Sequence, residues 1–294
     1  MPDSCAIRAI VWFDGAFVAG EAARLRFDDR GVQFGVGFYE TFRTSGGRPH
    51  HWRYHRARLE SACARVGIEL PADSFASDGE RRRAVVERLL AEHGATDAVF
   101  RYTITAGRVG ERPAESVVLR ALPPPPPDEG VCLRVLKLAR DNGEWLPRPK
   151  SLCSLNAWLG AEELRQRSGD ASDEGLFLAR DSGCVVETTR QAIAWIVDGG
   201  LCYPDPALGA VAGTCLAWVI ESGATCETRR APIDELLAAD AIVVLNSVRG
   251  ITPVHLIFDA DDRPLRRGID SRDHPLVASL RRQWTEALEA TAES

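Results

Sequence analysis

Five consecutive prolines, Pro123 to Pro127, limit what this chain can fold into more than any other feature. Proline lacks an amide proton and has a fixed φ, so such a run continues neither a helix nor an interior strand. It makes a stiff extended connector. The 294 residues are thereby divided into 1–122, a linker at 123–128, and 129–294, each part long enough to bury a core. Before the linker, residues 6–13 and 16–19 flank Asp14-Gly15, a two-residue hairpin signal. A strand is expected over 37–44, then a helix over 51–67 with Leu59, Cys63 and Val66 on one face and Gly67 as its stop. A helix over 79–93 and strands over 97–105 and 116–121 follow. Beyond the linker, strands are expected at 131–138, 175–180, 184–189, 192–197 and 241–246, and helices at 154–167, 213–222, 233–239 and 275–292. Hairpins mixed with helices indicate an α/β (α+β) chain of two domains. No glycine-rich dinucleotide motif opens a helix after a strand.

Charge and cysteine usage narrow the function. Acidic residues number 42 against 36 basic, interspersed and with no basic patch, which argues against a nucleic-acid partner. No apolar run reaches the roughly 18 residues of a membrane span. The first residues lack the basic and apolar regions of a signal peptide, so a cytoplasmic protein is expected. The eight cysteines stand singly, without metal-ligand spacing, and most of them read as small reduced core residues. No metal is expected.

The 36 basic residues include only two lysines, Lys137 and Lys150. Base composition can deplete lysine, but guanidinium forms no Schiff base and does not titrate near neutrality. Lys137 lies in an alternating, strand-like run. Lys150 ends a proline-rich loop, Trp145 to Pro149, just before the 154–167 helix, beside apolar Leu152 and Leu155. Partial desolvation there would lower its pKa. Glu187 interrupts an apolar strand leaving the turn at Gly183, and Gly213-Thr214-Cys215 leads into an apolar helix whose first amides point forward. Taken singly, each has an ordinary reading: a surface lysine, a solvent-facing strand glutamate, a loop-to-helix junction.

Their order and spacing carry more. Asp29-Arg30-Gly31, Phe34-Gly35 and Gly37-Phe38-Tyr39-Glu40 form one block, followed by His55-x-x-Arg58-Leu59, Lys150-Ser151-Leu152, Gly183-x-Val185-x-Glu187, Gly213-Thr214-Cys215 and Asn246-Ser247 with Ile251-x-Pro253-Val254. In this sequence of motifs the chain closely resembles the fold-type IV pyridoxal-phosphate enzymes, the class IV aminotransferase family, over nearly its whole length. The resemblance implies a smaller N-terminal α/β domain and a larger C-terminal α/β barrel-like domain. It implies pyridoxal 5′-phosphate as cofactor, Lys150 as Schiff-base lysine, and Glu187 at the pyridine nitrogen. Arg58, the amides of Gly213, Thr214 and Cys215, and Ser247 would bind the phosphate.

Some positions depart from the family pattern. Thr188 and Ala192 replace a glycine and an asparagine after the glutamate, and Leu216 replaces an arginine. The activities covered are branched-chain aminotransferase, D-amino-acid aminotransferase and aminodeoxychorismate lyase. Tyr39-Glu40 and Trp145-Leu146 look most like the D-amino-acid enzymes, although their carboxylate clamp is incomplete here, leaving Arg108 or Arg112 as candidates. Asn246–Val254 and the residues before Gly213 look more like the lyase. The expected reaction is aminotransfer between a small or D-configured amino acid and a 2-oxo acid, with the lyase as alternative and a catalytically altered binding protein as a third. Tyr39, Arg108 and Arg112 would meet the substrate, and a homodimer is implied.

Overall fold

The computed structural model describes residues 10–141, 148–269 and 271–293. Trp145 and Leu146, and the first part of the N-terminal strand segment, lie outside them. Contacts gather the chain into two units. The first runs to Pro123 and also takes Lys150–Cys153 and the residues from Glu286 on; the second takes Pro124–Pro149 and Ser154–Thr285.

In the first unit the strands are β1 (Ile10–Phe13), β2 (Ala16–Ala19), β3 (Gly37–Ser45), β4 (Arg48–Pro49), β5 (Val99–Thr105) and β6 (Glu115–Arg120), with helices α1 (Arg30–Phe34), α2 (Trp52–Arg65) and α3 (Gly79–Glu92). The sheet order is β2-β1-β6-β5-β3-β4, antiparallel throughout. Asp14 and Gly15 both have positive φ, 45° and 88°, which is what a tight hairpin between Phe13 and Ala16 requires. Helix α2 turns Trp52, His55, Leu59, Ala62 and Cys63 inward at helical spacing. They meet an aromatic core in which Phe42, stacked on Phe100, also touches Trp52 and Phe75. Each such side chain contributes roughly 1.5–3 kcal/mol on burial. Helix α1, absent from the sequence expectation, is one short turn capped by Asp29, which accepts from the Gly31 amide at 2.6 Å.

The second unit contains β7 (Val131–Val135), α4 (Leu155–Arg167), β8 (Glu174–Leu178), β9 (Val185–Thr188), β10 (Ala192–Val197), β11 (Gly200–Pro204), α5 (Thr214–Glu221), β12 (Cys226–Arg229), α6 (Ile233–Ala238), β13 (Ala241–Asn246), β14 (Gly250–Phe258) and β15 (Pro264–Arg267). Helix α7 (Pro275–Glu293) begins here. The order is β12-β11-β10-β13-β14-β7-β8-β9, with β15 on β14. Strand β9 also packs against β10 and β11, so the mixed sheet curls barrel-like around Leu133, Leu176, Val185, Ile193, Trp195 and Val244.

Asp198 and Gly199 make the turn before β11, which Gly200 opens. Two differences from the sequence reading have clear causes. Strand β14 was read only as a motif, because Thr252 and Pro253 mask its alternation, yet both its faces are buried. The division at 123–128 places Lys150 with the second part, whereas Lys150–Cys153 joins the first unit by backbone bonding to β3. The Tyr39 amide donates to the Lys150 carbonyl at 3.0 Å, and the Leu152 amide donates to the Gly37 carbonyl at 3.0 Å. Among the described residues no helix is long and apolar enough to cross a membrane. The described cysteines are all free; Cys63, Cys184, Cys202 and Cys215 are buried and Cys153 is exposed.

Candidate active site

Each unit gathers part of the predicted chemistry. In the first, the pairing of Lys150–Leu152 with β3 places the lysine beside Tyr39. The Lys150 ammonium lies 4.8 Å from the centre of the Tyr39 ring. A second cation, Arg101 on neighbouring β5, lies 3.7 Å from the same centre. Burial is the largest influence on Arg101 and lowers its pKa. No carboxylate pairs with it among the described residues, so the stacked guanidinium is suited to receive an anionic ligand group. Leu155, expected to help desolvate Lys150, is itself 67% exposed.

Alternation along β3 turns Glu40 to the opposite, buried face. There Arg58 donates from Nε to Glu40 Oε1 at 2.9 Å and from Nη2 to Oε2, a two-pronged pairing. His55 sits three residues earlier on α2 and donates from Nδ1 to Glu40 Oε2 at 2.6 Å, since a carboxylate only accepts. Burial would raise the Glu40 pKa, but the Arg58 charge and the His55 hydrogen bond outweigh it and bring it from 4.5 to about 2. Burial lowers the His55 pKa, so the histidine is the neutral member. Because the folded-state pKa of Glu40 is depressed, its contribution to stability is complete above about pH 4.5 and lost as pH falls toward 2. Denaturant midpoints should therefore drop across that window in the wild type, with a smaller drop in Glu40→Gln. Equal slopes in both would exclude Glu40 as the source.

In the second unit Glu187 lies on β9 and is buried, in contrast to an ordinary solvent-facing strand glutamate. Arg140 donates to its Oε1 through Nε at 2.9 Å and through Nη2, and the Val211 amide donates to Oε2 at 3.0 Å. Arg140 is itself buried, braced by Asn156 Oδ1 at 2.5 Å and by the Phe177 ring at 4.7 Å. A carboxylate held this way meets two guanidinium donors and one backbone amide, which fix its orientation.

The phosphate candidates of this unit converge on one strand end. Gly213 caps α5 without any side-chain cap, which leaves the first-turn amides to a ligand. A Cβ on Gly213 would stand 3.0 Å from the Ala192 Cβ, so the glycine permits this close approach. Ala192 pairs with Leu245 on β13, whose next residues, Asn246 and Ser247, enter the turn before Gly250. Thr214 and Cys215 are buried in the first turn of α5, and burial raises the Cys215 thiol pKa. Their amides remain the relevant groups. Within this unit, a buried glutamate and an uncapped helix start suit the ring nitrogen and the phosphate of a phosphorylated pyridine.

The substrate arginines named from the sequence are less well placed. Arg108 is engaged by Asp28 at 2.7 Å and by Glu111, and exposed Arg112 is engaged by Asp73 at 2.6 Å. Sequence reasoning missed Arg101 and Arg140. Only their strand neighbours distinguish them from the many other arginines.

The family profile described as "Amino-transferase class IV" matches residues 37–257. The chain belongs to the class IV aminotransferase family. It is 28% identical to an aminodeoxychorismate lyase of Bacillus subtilis over 83% of this chain and 85% of that one. It is 26% identical to a D-alanine aminotransferase of Bacillus licheniformis, covering 83% and 87%. The crystal structure of 4-amino-4-deoxychorismate lyase from Pseudomonas aeruginosa superposes with a TM-score of 0.75 at 27% identity, covering 94% of this chain and 98% of that one. The α/β fold implied by the motif resemblance is thus borne out.

Proposed function

We propose that this chain is a pyridoxal 5′-phosphate enzyme moving an amino group between a small or D-configured amino acid and a 2-oxo acid. The cofactor supplies an electron sink for charge developing at the substrate α-carbon. Lys150 would hold it covalently and would move the substrate α-proton as general base and then acid. The observation that carries this reading is the position of Lys150 over Tyr39, on the sheet face that also presents Arg101. Glu187 holds a proton on the pyridine nitrogen, while Arg58, Ser247 and the amides of Gly213, Thr214 and Cys215 bind the phosphate. Arg101 replaces Arg108 and Arg112 as the favoured partner of a substrate carboxylate, because it stacks on Tyr39 on the sheet face that carries Lys150.

The purified protein should convert members of a panel of D- and L-amino acids with a 2-oxo acid acceptor. In that assay Arg101→Met should raise KM about ten- to a hundredfold, the loss of one charge-assisted contact of about 1.5–3 kcal/mol. Amines lacking a carboxylate should be unaffected, and an unchanged KM for amino acids would remove Arg101 from the site. The second reading is an aminodeoxychorismate lyase, favoured by the 28% and 27% identical relatives. Pyruvate release from aminodeoxychorismate without amino transfer would establish it in place of the first.

A homodimer is part of the proposal. Phe27, Phe34 and Val109 in the first unit, 85%, 67% and 86% exposed, are large apolar groups suited to burial against a second copy. Sedimentation of active enzyme as a 32.1 kDa monomer would remove it.

A further inference from the structure

Glu174 is a buried carboxylate on β8 that accepts from Gln191 Nε2 at 2.8 Å, Arg190 Nη2 at 2.8 Å and Thr188 Oγ1 at 2.9 Å. A carboxylate accepts only, so Gln191 must turn its amino group toward Glu174 and its oxygen away. That oxygen accepts from Asn246 Nδ2 at 2.8 Å. Asn246 is then obliged to aim Oδ1 the other way, where it accepts from the amides of Val248 at 2.9 Å and Arg249 at 2.7 Å. With a charge at one end and backbone N–H groups at the other, the two side-chain amides have a single allowed polarity. Neither can flip without setting two acceptors or two donors against each other.

The relay ends on the turn that carries Ser247. Gln191 directly precedes Ala192, whose Cβ faces Gly213 at the start of α5. One strand end therefore governs both phosphate candidates of the unit. It does so where the family pattern has lost its asparagine, at position 192.

We propose that Gln191 is a positioning residue for the cofactor phosphate, fixing the Ser247 turn through Asn246 and supplying from position 191 the amide missing at 192. This rests on the reading that Ser247 and Gly213–Cys215 bind that phosphate. The test compares apoenzyme binding of pyridoxal 5′-phosphate with binding of pyridoxal, which lacks the phosphate. Gln191→Leu should weaken the phosphorylated ligand about tenfold and leave pyridoxal unchanged, the loss of one well-made hydrogen bond. Equal loss for both ligands, or none for the phosphorylated one, overturns the proposal. Should Gln191→Leu not fold, the near-isosteric Asn246→Asp is measured the same way, since it opposes two acceptors within the relay. Wild-type protein that binds pyridoxal as tightly as its phosphate would instead overturn the phosphate-site reading itself.

Discussion

Lys150→Ala should fold, take no label when reduced with borohydride in the presence of pyridoxal 5′-phosphate, and turn over on the order of 10⁴-fold more slowly. The fold should survive because the described side-chain contact of Lys150 is with the Tyr39 ring, worth about 0.5–1 kcal/mol at a partly exposed site. The Lys150 carbonyl that accepts from Tyr39 belongs to the backbone and is kept by alanine. Turnover should collapse because covalent attachment and proton transfer are lost together. Lys137 cannot replace it: it is exposed and paired with Asp261 at 3.1 Å. Peptide mapping of the reduced wild type should find the label on Lys150, and label on Lys137 would refute the assignment.

Glu187→Gln should lower turnover roughly a hundredfold or more, because the pyridine nitrogen would no longer be kept protonated. It should also lower stability by about 3–5 kcal/mol, since buried Arg140 would lose its counter-charge. The two effects have different owners and can be separated. Adding Arg140→Met to Glu187→Gln removes the stranded guanidinium, so the melting temperature should recover while turnover stays low. Full activity in Glu187→Gln would show that this carboxylate has no part in the chemistry. Recovery of both properties in the double variant would make its role structural.

Much of this architecture was legible because it rests on local rules. The Asp14-Gly15 hairpin, the buried face of α2 and the start of α5 at Gly213 follow from turn chemistry and periodicity within a few residues. Lys150, Glu187 and Arg58 were named instead by the resemblance of their motifs to the family. What was missed depends on strands far apart in sequence. Arg101 differs from other arginines only because β5 pairs with β3 and brings it to Tyr39. Arg140 lies 47 residues from the glutamate it neutralises.

By itself, then, the sequence indicated the type of many elements and, through the resemblance of its motifs, the cofactor chemistry. Tertiary structure decided which face each of them occupies and which charges meet. It placed Glu40 with Arg58 and His55, moved Lys150–Cys153 onto β3, and tied Arg108 and Arg112 to nearby carboxylates. The reason is physical: backbone preference acts over a few residues, whereas burial and ion pairing act through space between strands that sequence distance does not reveal.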